Sequence, residues 1–179
     1  MSEEAMIKKW NEQPMLQPRI EKVVVNLNVG KSGEPLDKAF RVLKEIAGQT
    51  PVKKNAKASI RDFGIRKGEP IACVVTLRRQ QAIDFLKKVL PVVDNRILKS
   101  SFDDRGNFAF GLKEHIEIPG VKYDPEIGIF GMDICVTINR PGDRVSDRRR
   151  RKAKVGKKHV LTPEEAIFFT KRTLGVEIV

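Results

Sequence analysis

Residues 22–29, KVVVNLNV, alternate in character. Val23, Val25, Leu27 and Val29 share one side of an extended chain, and Lys22, Val24, Asn26 and Asn28 share the other. A period of two marks a strand with one side toward a core and one polar side. Residues 71–78, IACVVTLR, repeat the pattern, with Ile71, Cys73, Val75 and Leu77 inward and Thr76 and Arg78 opposite. After a turn sequence at 103–107, Phe108, Phe110 and Leu112 alternate with small residues, as one side of a hairpin does. A further strand over 129–138 gathers Phe130, Met132, Ile134, Val136 and Ile138 on one face.

Between these strands the spacing turns helical. Leu36, Phe40, Leu43 and Ala47 recur along 35–47, with Pro35 suited to a first turn and Gly48 to a stop. A second helix is expected from Arg79 to about Leu90, with Ala82, Ile83, Leu86 and Leu90 as its apolar stripe and Pro91 ending or kinking it. Thr162-Pro163-Glu164-Glu165 opens a third, over 162–175: Thr162 caps, Pro163 suits the first helical position, and Glu165 completes a capping box before a stop at Gly175. This order predicts one α+β domain over 1–179, a mostly antiparallel sheet with helices packed on one face, plus basic loops. The pattern gives no role to its first segment, 1–16, and no internal repeat is visible.

Composition narrows the class. No apolar run approaches the roughly 20 residues of a membrane helix. Residues 1–12 are charged and lack the apolar stretch of a secretory signal, so a cytoplasmic location is expected. Cys73 and Cys135 each lie in an apolar run, without the second pair or nearby histidine a zinc site needs. They read as reduced core thiols, and no metal or cofactor is expected.

Charge changes the picture most. The chain carries 35 Lys+Arg against 23 Asp+Glu, a net +12, and the excess is concentrated. Residues 140–158 hold ten basic and two acidic residues, and residues 53–67 hold six and one, so the remainder is nearly neutral. Charge kept for solubility would be spread out. Two concentrated segments on a neutral body point to a polyanion.

The arm at 140–158, with Arg148, Arg149, Arg150, Arg151, Lys152, Lys154, Lys157 and Lys158, cannot bury its charge. It is expected to be mobile alone and to order against phosphates. A solvated tail is the bland alternative, but the arm lies between a strand and a capped helix, which favours RNA or DNA contact. The loop KKNAKASIRDFGIRK offers Lys53, Lys54, Lys57, Arg61, Arg66 and Lys67 around Phe63. Phe63 either stacks on a base or folds back to anchor the loop, and the sequence does not choose. The polar strand face of Asn26, Asn28, Thr76 and Arg78 could meet 2′-hydroxyls and base edges, although pattern alone favours an ordinary solvated face.

Enzyme readings fail on geometry. Gly30-Lys31-Ser32 suggests a phosphate-cradling loop, but the glycine required five positions earlier is Val25. Asp103 and Asp104 are explained by the turn they introduce, and His115 has no nucleophile partner. His159, at the end of the arm, suits a phosphate contact.

Several long stretches, QPRIEKVVVNLNVG, IAGQTPVKKNAKASIRDFGIRKGEPIACVVTLR, SFDDRGNFAFGLKEHIEIPGVKYDP and FGMDICVTINRPG, together resemble the universal fifth protein of the large ribosomal subunit, the family that binds 5S rRNA. The resemblance covers about 17 to 142. The tail RRRRKAKVGKKHVLTPEEAIFF is similar to the archaeal and eukaryotic branch, since the bacterial form lacks this arm and helix. The resemblance implies a non-enzymatic, ribosome-bound protein that attaches 5S rRNA in the central protuberance, with Asn26, Gln49 and Thr76 at RNA-bonding positions. It also implies that residues 53–67 reach the P-site tRNA. Other implied partners are large-subunit rRNA and neighbouring ribosomal proteins, including an intersubunit contact. Neither a membrane nor self-association is expected. The alternative is a stand-alone RNA chaperone or general nucleic-acid binder.

Overall fold

In the computed structural model, which describes residues 3–179 apart from 122–124 and 126, the alternating segments become one antiparallel sheet. The chain runs α1 (Glu3–Glu12), β1 (Arg19–Asn28), α2 (Glu34–Ala47), β2 (Val52–Asn55), β3 (Pro70–Arg78), α3 (Arg79–Val89), β4 (Arg96–Ile97), β5 (Phe108–Leu112), β6 (Met132–Asn139), α4 (Pro163–Leu174) and β7 (Glu177–Ile178). Five strands lie in the order β2-β3-β1-β6-β5, and β4 and β7 form a separate parallel pair.

The sheet is two-faced because its strands alternate in register. Val23, Val25 and Leu27 of β1, Cys73, Val75 and Leu77 of β3, and Met132, Ile134, Val136 and Ile138 of β6 are all buried. Leu36, Ala39 and Leu43 of α2 and Ala82, Phe85, Leu86 and Val89 of α3 close over that side. Each large side chain buried this way contributes roughly 1.5–3 kcal/mol. The expected α+β architecture is therefore present, with helices on one face.

Local details depart from the sequence reading for identifiable reasons. The strand expected over 129–138 starts at Met132. α3 ends at Val89 and continues as a 3₁₀ turn through Leu90–Val93, because Pro91 cannot donate to an α-helical carbonyl. Its buried stripe uses Phe85 and Val89, with Ile83 only half-buried. Part of the expected 53–67 loop is strand: β2 is an edge strand with all four residues exposed, so it has no apolar period to betray it. Cys135 is exposed rather than in the core, because it falls on the open side of β6; Cys73 is buried.

The capping box at α4 is half-formed. The Glu165 N–H donates to the Thr162 hydroxyl at 3.4 Å. The Glu165 carboxylate instead turns inward to the Arg140 guanidinium. Residues 3–12, which stand out in the sequence only for their charge, form a helix whose Met6 and Trp10 are buried; Trp10 packs on Phe168 and Phe169 of α4, with ring centroids 5.6 and 6.5 Å away. Among the described residues no helix is long and apolar enough to cross a membrane.

Candidate nucleic-acid interface

The side of the sheet away from α2 and α3 carries the polar residues in rows set by strand pairing. Arg78, Lys22 and Thr137 are consecutive partners across β3, β1 and β6. The next row is Thr76, Val24, Cys135 and Ala109. Below it lie Val52, Val74, Asn26, Asp133 and Gly111, then Lys54, Ala72 and Asn28. Asn26 and Thr76 are diagonal neighbours, because Asn26 pairs with Val74 and Thr76 with Val24. Small residues (Ala72, Ala109, Gly111, Cys135) make up part of this floor, with Val24 and Val74 directly beside Thr76 and Asn26. That suits the approach of a backbone or a base more than a small molecule.

The alternation of β6 carries a signal beyond the polar face expected from β1 and β3. The residues between its buried ones, Asp133, Cys135, Thr137 and Asn139, extend the open face past those two strands. Gln49 lies elsewhere, exposed just after the α2 stop Gly48 and ahead of β2. Arg78 also pairs with Glu21 at 3.4 Å.

The two basic segments leave the sheet at opposite ends. The 56–69 loop follows the Asn55–Pro70 pair, beyond Asn28, whereas the arm follows Asn139, the partner of Arg19. Lys22 and Asn28 are six residues apart, roughly 20 Å at a strand's rise of about 3.3 Å.

The loop is built, not floppy. Ala56 N–H donates to the Glu69 carbonyl at 2.8 Å, and Ile60 and Ile65 exchange backbone bonds of 2.9 and 3.1 Å. The Glu69 carboxylate accepts from the Ser32 hydroxyl and from the Arg66 N–H at 3.0 Å. These bonds, the serine's foremost, hold its pKa below the ordinary 4.5. Phe63 at the tip is 74% exposed, so it does not fold back to anchor the loop. Lys57, Arg61, Arg66 and Lys67 are exposed around it. Lys53 differs: it lies on the helix-covered side of β2, bonded to Asp37 and 5.8 Å from the Phe40 ring centroid.

The arm also has a folded base. Arg140, at its start, is buried and donates to the carbonyls of Lys158, His159 and Val160 at 3.4, 3.2 and 3.4 Å as well as to Glu165. It is a structural residue and not part of the exposed cationic surface. His159 is half-buried and partly engaged: its Nε2 donates to the Pro141 carbonyl at 2.9 Å. The Arg148 Nε–H donates to the Arg151 carbonyl at 2.8 Å, and Ala153 N–H to Val145 at 3.2 Å. Arg148 to Lys152, Lys154, Lys157 and Lys158 remain exposed.

The groups whose chemistry would suit catalysis have structural partners. Asp103 accepts from the Arg105 and Asn107 N–H groups, each at 2.8 Å, and from the Asn107 amide at 2.8 Å. His115 is buried and its Nδ1 accepts from the Phe130 N–H at 3.2 Å. Among the described residues no cluster of three or more His, Cys, Asp or Glu could hold a metal ion.

Comparison with known proteins accounts for most of the chain. A family model described as ribosomal protein L5 matches residues 13–66, and a second, for the C-terminus of the same ribosomal family, matches residues 70–169. The chain belongs to the ribosomal protein L5 family. Family membership makes it a structural, non-enzymatic protein. The match reaches residue 169, so the arm and part of α4 lie inside it. Three relatives named large ribosomal subunit protein uL5 show the same extent. That of Pyrobaculum aerophilum is 59% identical over 165 residues, covering 92% of each chain. Those of Aeropyrum pernix and Nanoarchaeum equitans are 50% and 52% identical, covering 97% and 94% of this chain and 91% and 99% of their own. The chain is thus of the archaeal type within its family.

Proposed function

We propose that this protein is a structural constituent of the large ribosomal subunit that seats 5S rRNA on the open face of its sheet. The observation that carries the reading is that uncovered face, with Asn26 and Thr76 in adjacent rows and Val74 and Val24 as their partners. Amide and hydroxyl groups there can bond 2′-hydroxyls and base edges, which gives selectivity that charge alone cannot. Asn28 and Arg78 extend the contact on the face, and Gln49 adds a separate one from the turn between α2 and β2. The arm residues Arg148 to Arg151, Lys152, Lys154, Lys157 and Lys158 neutralise rRNA phosphates.

The loop reaches the P-site tRNA in this reading. Its braced base and exposed Phe63 support a tip that meets a backbone without reading sequence. Lys54, Lys57, Arg61, Arg66 and Lys67 supply charge there, and Lys53 contributes from its tethered position. The protein works ribosome-bound in the cytoplasm, beside neighbouring ribosomal proteins and an intersubunit contact, without self-association.

The test is binding of 5S rRNA by single variants. Asn26→Ala and Thr76→Ala are expected to weaken it by about 1–3 kcal/mol each with little change in salt dependence. Removing the charges at 148–151 should flatten the dependence of log K on log salt, by at most about 0.7–0.9 for each phosphate left without its cation. Wild-type affinity in Asn26→Ala would remove that residue from the site. Loss of all affinity with the arm alone would favour a general nucleic-acid binder instead.

A further inference from the structure

Where the arm rises beside the open face, floor and wall enclose a polar cleft of about 450 Å³. Its floor is Lys22 of β1 with Thr137 and Asn139 of β6; Arg105 flanks it, and Asp147 and Lys154 face it from the arm. The volume lies within the roughly 300–1,000 Å³ typical of ligand clefts. We infer that this corner is a nucleotide site, which receives one unpaired nucleotide of the bound RNA.

Three observations support it. First, the lining is chemically mixed. A track for backbone phosphates needs only cations, yet here two carboxylates, Asp143 and Asp147, stand among Lys22, Arg105 and Lys154. A nucleotide presents both signs: an anionic phosphate for the cations, and base amino and imino groups that donate to a carboxylate or an amide oxygen. Second, among the described residues no hydrogen bond or ion pair within the protein engages the side chains of Lys22, Arg105, Asn139 or Lys154. Asp147 accepts only a 3.3 Å bond from the adjacent Ser146 hydroxyl, so donors and acceptors converge on one space with most of their capacity unused. Third, the wall is preorganised. Arg140 beneath it ties the carbonyls of 158–160 to α4 through Glu165, and its Nε is buried without a partner. A wall already fixed spares the ordering cost on binding.

The floor is continuous with the face proposed for RNA, since Thr137 pairs with Lys22 and Lys22 with Arg78. The inference rests on that reading. Because only unstacked bases can be splayed into a pocket cheaply, the occupant belongs to a loop, bulge or end of the RNA.

The experiment is a nucleotide-resolution 2′-hydroxyl acylation footprint of 5S rRNA with the full chain, for wild type and for Asn139→Ala, Asp147→Ala and Lys154→Ala. Lys154 and Asp147 are exposed, so these two variants keep the test valid even if Asn139→Ala does not fold. The expected result is one short unpaired stretch protected by wild type and released in the variants, with affinity down about tenfold and the remaining footprint unchanged. A wild-type footprint that all folded variants reproduce nucleotide for nucleotide would overturn the cleft and leave the face reading standing. No footprint by wild type would overturn both. A parallel titration with the four ribonucleoside monophosphates separates the sources. Weak binding lost in Asp147→Ala, without any change in the RNA footprint, would assign the cleft to free nucleotides and overturn its RNA role.

Discussion

Arg140 and Glu165 form an ion pair in the protein interior, each side chain 2% exposed, that joins the end of β6 to α4. The same guanidinium gathers the three carbonyls at 158–160, so one buried cation fixes both ends of the arm. Removing Glu165 strands the Arg140 charge, and removing Arg140 leaves Glu165 only the half-exposed Lys9 at 4.0 Å; breaking a buried pair typically costs about 3–5 kcal/mol, whereas removing both in apolar form costs far less. Arg140→Met and Glu165→Leu should each lower Tm by roughly 10 °C, at about 2–4 °C per kcal/mol for a chain of this size. The double variant should recover most of that. Thermal melts of the three variants check it; additive losses would mean the pair is not coupled.

The single tryptophan reports on a second joint. Trp10 of α1 is buried against Phe168 and Phe169 of α4. Phe168→Ala should red-shift its emission before global unfolding, because α1 then detaches from α4. An unchanged emission maximum would show that α1 docks through other residues.

A pH effect follows from His115. Burial holds its pKa below the ordinary 6.5, and the Phe130 N–H donates to Nδ1, which therefore carries no proton. Below about pH 6.5 the unfolded chain takes up a proton that the folded chain refuses, so stability falls with acid until the folded imidazole also titrates. His115→Asn retains an acceptor but cannot titrate. Denaturant unfolding between pH 7.5 and about 5 should lose a smaller share of stability in the variant than in wild type; parallel curves would contradict the assignment.

Place in the chain separates the cations of residues 53–67. Lys53 is held by Asp37, and Lys57 and Arg61 are exposed with no ion pair among the described residues. Arg61→Ala should therefore reduce crosslinking of the loop to tRNA in assembled ribosomes several-fold, and Lys53→Ala much less. Equal losses would mean that Lys53 leaves Asp37 on binding.

The sheet was legible because its buried strands alternate over many residues: Val23 to Leu27, Cys73 to Leu77 and Met132 to Ile138 announce one face each. Elements without a period stayed hidden. β4 and β7 are two residues each, and β2 is exposed throughout. Arg140 looks in sequence like the first of a basic run, and only the fold shows that its partner stands 25 positions away. Glu165 does stand at a helix start, but local capping chemistry could not reveal that a buried guanidinium would claim its carboxylate. The 6/10 spacing of Met6 and Trp10 was a usable helical signal, obscured by the charges around it. Of the candidate site, Asn26, Asn28, Thr76 and Arg78 share one face as alternation implied. The cleft beyond them depends on where the arm folds, which composition does not encode.

The most direct measurement is binding of the full chain to 5S rRNA and to an unrelated hairpin of similar length, in parallel, over a salt series. The open face predicts that the preference for 5S rRNA persists as salt rises, because its amide and hydroxyl contacts are not screened. Two affinities that start equal and collapse together would contradict it, leaving the cationic segments as the whole of the interaction.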